Sequence, residues 1–503
     1  MNNEKINLAI LLLLSLLLSI YLFFRTYVIS LDGAFQYIPI AKDFASGFFR
    51  RALSHNQQPL YPLIIAFVSR WRWAPDFELA GKLVSFFFGI LIIFPVYFLG
   101  KRIFDAKIAF LSTLLLTIHP YVRRFSADVL KESTFLFFFG TAIWFAWRTI
   151  QNEKRYPFLF IPILSVLAYL VRPDGIEVLL VVFPYLLFVK KFSISERKRA
   201  VILLLIVSSC IFLLPYLFYL REFRGEWTLG KAKSIAEMLG LGVLKDGVPL
   251  SHKILFSLKK LNLEILGIFH PVYIFLLVIG LYKRVYFRLK TGEGFLLPFC
   301  CLHYVILFLM VLNTTEWGGE GTIKAVHLSG RHVLPLLLVS IYWVGEGFWA
   351  ISLCVSHYME SHSLSFPLKS KDKSSMVLGV LLAVMLSIVL PKTLKPQRYE
   401  RLSEKWAGVW IKNQSGKGTT IYTSMPRAAF YAEGYYEYTD LRKSTIDKIK
   451  ASMTEKKALY LVLRKKDFSD YPNEVKLIQK DFVETIRFEQ EGMEKIFIYK
   501  IIP

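Results

Sequence analysis

Between Ile6 and Leu390 the sequence is a succession of apolar runs separated by short charged segments. The first, Ile6 to Phe24, is long enough for a helix to cross about 30 Å of hydrocarbon. In lipid every backbone N–H and C=O has to be satisfied within its own segment, so such runs are expected to be helices. Spans are expected near residues 6–24, 79–99, 108–121, 129–147, 157–171, 176–189, 201–220, 265–282, 295–312, 332–351 and 376–390, about eleven in all. Ile6–Phe24 exceeds a signal-peptide core and lacks a following small-residue cleavage site, so it reads as a retained signal anchor. Pro59–Val68 is apolar but short, and fits a re-entrant or interfacial segment better than a span.

The charge sets the orientation. The chain carries 62 Lys and Arg against 38 Asp and Glu, a formal net charge of +24. The basic residues gather between apolar runs: Lys101, Arg102 and Lys107; Arg148, Lys154 and Arg155; Lys190, Lys191 and Arg197 to Arg199; Lys283, Arg284, Arg288 and Lys290. That placement is the positive-inside pattern, not a nucleic-acid footprint. With the N-terminus inside, an odd number of spans puts every cluster on the cytoplasmic side and residues 392–503 outside. The expected fold is therefore a polytopic α-helical membrane protein, residues 1–391, followed by a small extracytoplasmic α/β domain, residues 392–503. In that tail Thr419–Thr423, Ala458–Leu463 and Lys495–Ile501 read as strands and Ser444–Met453 as a helix.

Surface helices are expected over Asp32–Ser46, in the first outer loop, and around Ala232–Leu241, in a later one. The cysteines Cys210, Cys300, Cys301 and Cys354 lie in or beside apolar runs without ligand spacing and read as small buried hydrophobes. Gly318–Gly321 is a flexible loop and too weak for a phosphate motif.

Ionisable groups near spans are costly and mark function by default. Here they share one side: Asp32 after the first span; Arg123, Arg124, Asp128 and Glu132 between the third and fourth; Arg172 and Asp174 between the fifth and sixth; Arg331 at the start of the tenth. Acids and arginines converging on the outer face describe an active site that receives an anionic substrate. Each also has a plainer reading. Asp32 is placed to cap a helix, Arg172-Pro-Asp-Gly175 to form a turn, and Arg331 to anchor a helix end in headgroups. Glu132 is either a second acid or a partner for Arg123 or Arg124. No cofactor is assigned; the scattered His119, His270 and His327 leave a divalent metal open.

The order of these pieces resembles the polyprenyl-phosphate-sugar glycosyltransferases of the C superfamily. The motifs are Leu31-Asp-Gly-Ala-Phe-Gln-Tyr37, Gln58-Pro-Leu-Tyr-Pro-Leu63, Ser126 to Phe135, Leu170-Val-Arg-Pro-Asp-Gly175, Gly330-Arg-His-Val-Leu-Pro335 and Ile421-Tyr-Thr-Ser-Met-Pro426 followed by Tyr431. They are most similar to the protein O-mannosyltransferases and lipid A aminoarabinose transferases, glycosyltransferase family 39 and its neighbours. The resemblance implies a multi-pass cell-membrane enzyme. It would use a polyprenyl-phosphate-linked sugar donor and invert configuration by direct displacement, with Asp32 as catalytic base. Arg331, Arg172, Glu132, Arg123, Tyr37 and Tyr61 form the expected substrate-binding set. Two departures stand out: many relatives have Asp-Glu where this chain has Asp32–Gly33, and a His or Asn before Pro-Pro where it has Asn56-Gln-Gln-Pro59.

A lipid phosphate leaves as an anion, so the reaction needs no strong general acid. It needs a carboxylate for the acceptor hydroxyl and fixed positive charge on the phosphate, where Arg outperforms Lys through its planar fork. Two rival readings remain at this stage: an oligosaccharide ligase or polymerase using a lipid-pyrophosphate donor, and a transporter or lipid flippase. A transporter is expected to show repeated halves and midplane charges, which this sequence lacks.

Overall fold

The computed structural model describes residues 3–72, 74, 76–151, 157–188, 194–208, 213–225, 227–228, 249–286, 291–317, 323–325, 328–361, 370–439, 446–470, 478 and 480–501. Cys210, His327, Gly318–Gly321 and the expected surface helix at 232–241 lie outside them. The chain divides into two compact units: Met1–Tyr21 with Ile40–Leu394, and Leu22–Pro39 with Lys395–Pro503.

The first unit is helical, and local chemistry sets its boundaries. Helix Phe77–Leu91 starts where Asp76 accepts from the amides of Glu78 and Leu79, each at 3.3 Å. Helix Ala106–Ile118 starts where Asp105 accepts from Ile108 N at 2.8 Å. Five helices among the described residues are long and apolar enough to cross a membrane: Glu4–Phe24, Phe77–Ile103, Thr291–Thr314, Gly330–Ser361 and Ser375–Leu394. Shorter apolar helices, including Ala106–Ile118 and Leu159–Val171, accompany them. The chain is a multi-pass membrane protein.

The run expected to span at 265–282 is broken. Helices Leu250–Phe269 and Pro271–Tyr286 meet at a 101° bend. Pro271 cannot continue the hydrogen-bond ladder, and it drives the residue before it out of the α region. His270, between the two helices, has φ +71°, which is uncommon for a residue other than glycine. The expected span at 201–220 is covered by two helices, Ile194–Ser208 and Leu214–Arg224.

Helices Pro271–Tyr286 and Leu334–Ser361 cross in backbone contact. A Cβ on Gly280 would lie 1.8 Å from the Trp343 carbonyl oxygen, and one on Gly347 would lie 1.9 Å from that of Leu276. Only glycine fits at such a crossing. Beside it, Glu346 is held by Lys283 at 2.8 Å and by Arg284 at 2.6 Å, and the indole of Trp343 donates to Glu293 at 3.1 Å. Two residues of a basic cluster thus neutralise a buried acid and tie two helices together.

The second unit carries a five-stranded mixed sheet in the order β4-β3-β5-β7-β6. Its strands are β3 (Thr420–Thr423), β4 (Tyr435–Tyr438), β5 (Tyr460–Arg464), β6 (Phe482–Phe488) and β7 (Ile496–Ile501). A short hairpin of β1 (Thr315–Trp317) and β2 (Ile323–Ala325) belongs to the first unit. Strand β3 pairs in parallel with both β4 and β5, while β7 is antiparallel to β5 and β6. One face of the sheet packs Leu461, Leu463 and Tyr499 with Ile446, Ile449 and Met453 of helix Ile446–Glu455. The other packs Ile421, Val462 and Ile498 with Ala407 and Ile411 of helix Leu402–Ser415. That helix stops at Gly416, whose φ of +74° suits a residue without a Cβ.

Candidate active site

Arg172 follows the last residue of helix Pro157–Val171 and precedes Pro173, which holds it extended at φ −149°, ψ 139°. The turn Pro173–Ile176 then folds back on its own helix. A Cβ on Gly175 would sit 2.2 Å from Tyr169 N, so this tight return requires glycine. Arg172 is buried and its guanidinium meets three partners. It pairs with Asp174 at 2.5 Å, donates through Nη1 to the carbonyl of Arg331 at 3.1 Å, and lies 5.0 Å from the Phe135 ring centre. Burial pushes the Asp174 carboxyl up, but the positive charge of Arg172, helped by His303 and His332, holds it below its ordinary range.

The turn Gly330–Val333 that carries Arg331 is fixed from a second direction. Ser329 and His332 cap it reciprocally. The His332 carbonyl accepts from His303 Nε2 at 2.8 Å, and His303 Nδ1 lies 2.8 and 3.0 Å from the two oxygens of Glu177. A carbonyl can only accept, so Nε2 bears a proton, and His303 and Glu177 share another across Nδ1.

Held this way, Arg331 keeps a side chain 28% exposed, with Nε 3.9 Å from Oε1 of Glu132. Glu132 is only 1% exposed, and among the described residues neither of its oxygens accepts a hydrogen bond. It is the first residue of helix Glu132–Ile150, where the helix dipole favours negative charge. A buried carboxylate without hydrogen bonds costs stability, and such groups concentrate at functional sites.

The segment before Glu132 is anchored by Tyr61. The Ser85 hydroxyl donates to the Leu130 carbonyl at 2.8 Å, which makes the Tyr61 hydroxyl, 2.8 Å away, the donor to Ser85. Tyr61 is fully buried, so here it braces the Asp128–Glu132 loop. Burial raises its phenol well above the ordinary value, and the charges of Asp128 and Glu132 add to the rise. Nearby in sequence, Lys131 donates to Gln57 at 2.8 Å and Tyr216 donates to Gln58 at 2.5 Å. The Asn56–Pro59 stretch is thus tied to two other segments. Asp43 is buried and accepts from Arg51 and His55. Burial raises its carboxyl, and these two partners outweigh that and hold it low.

The structure therefore groups Glu132, Arg331, Arg172 and Asp174, with Tyr61 bracing the loop into Glu132. Arg123 is not part of that group. It is buried and turns to the first helix, donating to Ser15 at 2.7 Å and Ser19 at 3.0 Å. Asp32 and Tyr37 belong to the second unit. Asp32 is helical, at φ −63° and ψ −39°, and its side chain makes no capping hydrogen bond; Ser30 Oγ takes that role, accepting from Gly33 N at 3.1 Å. A π-helical turn follows, Gly33–Tyr37, a rare form frequently found at functional sites. Glu177, His303 and Asp43 were not anticipated. Each is a single polar residue in or beside an apolar stretch, and the Glu177–His303 pair spans 126 positions. Among the described residues no three or more His, Cys, Asp or Glu converge to hold a metal.

Residues 56–219 match the family model of the dolichyl-phosphate-mannose-protein mannosyltransferases. The chain is similar in structure to the Archaeoglobus fulgidus oligosaccharyltransferase AglB in complex with an inhibitory peptide and a dolichol-phosphate. The TM-score is 0.59 at 12% identity, over 99% of this chain and 74% of that one. The chain shares the fold of this structure. A second structure, ArnT from Cupriavidus metallidurans bound to undecaprenyl phosphate, is matched with a TM-score of 0.56 at 10% identity, over 98% of this chain and 97% of that one. No curated protein matches the sequence. The resemblance read from the short motifs is borne out.

Proposed function

We propose that this protein is a C-superfamily membrane glycosyltransferase that moves one sugar from a polyprenyl-phosphate donor to an acceptor hydroxyl on the extracytoplasmic side. The observation that carries the reading is the buried Glu132 carboxylate, which accepts no hydrogen bond among the described residues and lies 3.9 Å from Arg331. A sugar phosphate complements both groups: a sugar hydroxyl donates to Glu132, and the phosphate oxygens accept from Arg331. Arg172 acts behind them, holding the Arg331 backbone in place.

In the reaction the bond from the anomeric carbon to the phosphate oxygen breaks and a bond to the acceptor oxygen forms. The acceptor proton passes to Asp32, and polyprenyl phosphate departs as the anion, its charge met by Arg331. The Lys395–Pro503 part, with its α/β sheet, is taken to lie outside a cell membrane crossed about eleven times, as the basic loops require. Lipid analysis of a deletion strain tests the donor class. A polyprenyl-phosphate sugar should accumulate; an unchanged pool of such lipids, or accumulation of a lipid-pyrophosphate oligosaccharide, contradicts the proposal.

A further inference from the structure

Within the second unit, both backbone polar groups of Ile29 are held by side chains of one short helix, Pro426–Tyr431. The Ile29 N–H donates to the Tyr431 hydroxyl at 3.0 Å, and Arg427 Nε donates to the Ile29 carbonyl at 2.9 Å. Arg427 and Tyr431 are four residues apart and so project from one face of the helix. The preceding residue is held too, since Arg398 Nε donates to the Val28 carbonyl at 2.8 Å. Before that, Tyr27 N donates to the Gln397 carbonyl and Gln397 N to the Arg25 carbonyl, at 3.3 and 2.9 Å.

Val28 and Ile29 are completely buried, so their amides and carbonyls must find partners. For Val28 O and for Ile29, those partners are side chains 370 to 402 positions away. Arg427 is itself aimed by the buried Glu404, 3.3 Å from Nη1, and Lys405 lies 4.9 Å from the Tyr431 ring centre. Asp32 comes three residues after Ile29, at the turn that Ser30 opens.

We propose that Arg427 and Tyr431 are positioning residues for sugar transfer, fixing the Ile29 peptide and through it the place of the Asp32 carboxylate. This rests on the reading of Asp32 as the base. The C-terminal unit then takes part in the reaction by holding the catalytic loop as well as by any contact with the acceptor. Displacing a base by a fraction of an ångström slows chemistry and leaves donor binding alone, so the effect belongs in kcat.

The test uses purified full-length protein: wild type, Tyr431→Phe, Arg427→Gln, Arg427→Lys, Asp32→Asn, and Tyr431→Phe and Arg427→Gln each combined with Asp32→Asn. Two quantities are read, kcat and KM for a polyprenyl-phosphate sugar donor and hydrogen exchange of the amides from Ile29 to Asp32. Tyr431→Phe should speed exchange at Ile29 by about tenfold, as loss of one hydrogen bond does. It should lower kcat about tenfold to a hundredfold with donor KM nearly unchanged. Arg427→Gln should behave alike, Arg427→Lys should recover part of kcat, and neither clamp variant should lower the residual rate of Asp32→Asn further. Faster exchange with wild-type kcat, while Asp32→Asn alone is inactive, overturns the positioning role, as does exchange that does not change. Full activity of Asp32→Asn with wild-type exchange overturns the base reading instead, and so separates the two failures.

Discussion

Arg172 donates to the backbone carbonyl of Arg331 at 3.1 Å, joining two turns 159 residues apart. One arginine thus places the other. The guanidinium of Arg172 is spent on Asp174, on that carbonyl and against Phe135, whereas that of Arg331 faces Glu132 across 3.9 Å. Arg331→Ala should raise the donor KM by the loss of a charge-assisted contact, about 1.5–3 kcal/mol. Arg331→Lys should lose less, keeping the charge without the planar fork. Arg172→Met should harm donor use as well, though its side chain makes no donor contact in this account. Steady-state kinetics over a donor series checks all three, and unchanged donor KM in both Arg331 variants removes that residue from the site.

Glu132→Gln separates function from stability. The substitution keeps shape and removes a buried charge that accepts no hydrogen bond among the described residues. Thermal stability in detergent should hold or rise, because desolvating a neutral amide costs less than desolvating a carboxylate. Donor turnover should fall about tenfold or more, as a hydrogen bond to a charged group is lost. A drop in both together would mark Glu132 as structural.

Much of this group was singled out in the sequence, because charge beside a span is costly and span parity assigns these residues to one face of the membrane. Glu132, Arg172 and Arg331 were found that way. Glu177 and His303 were not, since each is a single polar residue in or beside an apolar stretch and only the fold brings them together. Arg123 was read as facing the site because it lies between the third and fourth expected spans, yet its guanidinium reaches Ser15 and Ser19 on the first helix. Tyr61 was read as a substrate contact, and its buried hydroxyl braces a loop. The break at His270–Pro271 was present in the sequence as a proline, but the apolar run continued through it and hid the bend. In the C-terminal part β3, β5 and β7 were legible from β-branched and aromatic runs. The attachment of residues 22–39 to it was not, because that attachment runs largely through backbone groups that carry no sequence signal.

Acid should loosen the Arg172 turn. The Asp174 carboxyl is held below its ordinary value of 3.8, so it binds protons less readily in the folded chain than in the unfolded one. Its contribution to stability is present in full above that ordinary value and is lost as pH falls through the lower, folded one. Melting curves of the wild type from pH 6 downward should therefore steepen below about pH 4 relative to Asp174→Asn. Parallel curves would show that the pair contributes nothing.

The orientation of the chain is open to a direct check. Reporter fusions after Lys392 and near Lys283 should report opposite sides of the membrane, with the C-terminal fusion outside. Cytoplasmic signal from the fusion after Lys392 would sink the topology.

The most direct test of the whole account is turnover of a polyprenyl-phosphate sugar by purified Asp32→Asn protein. Asp32→Asn keeps the size of the side chain and most of its capacity to cap a helix while removing its charge. The account predicts a protein that inserts and melts like the wild type and transfers sugar about a hundredfold more slowly or worse, the scale of a positioned base. Turnover near the wild-type rate would contradict it.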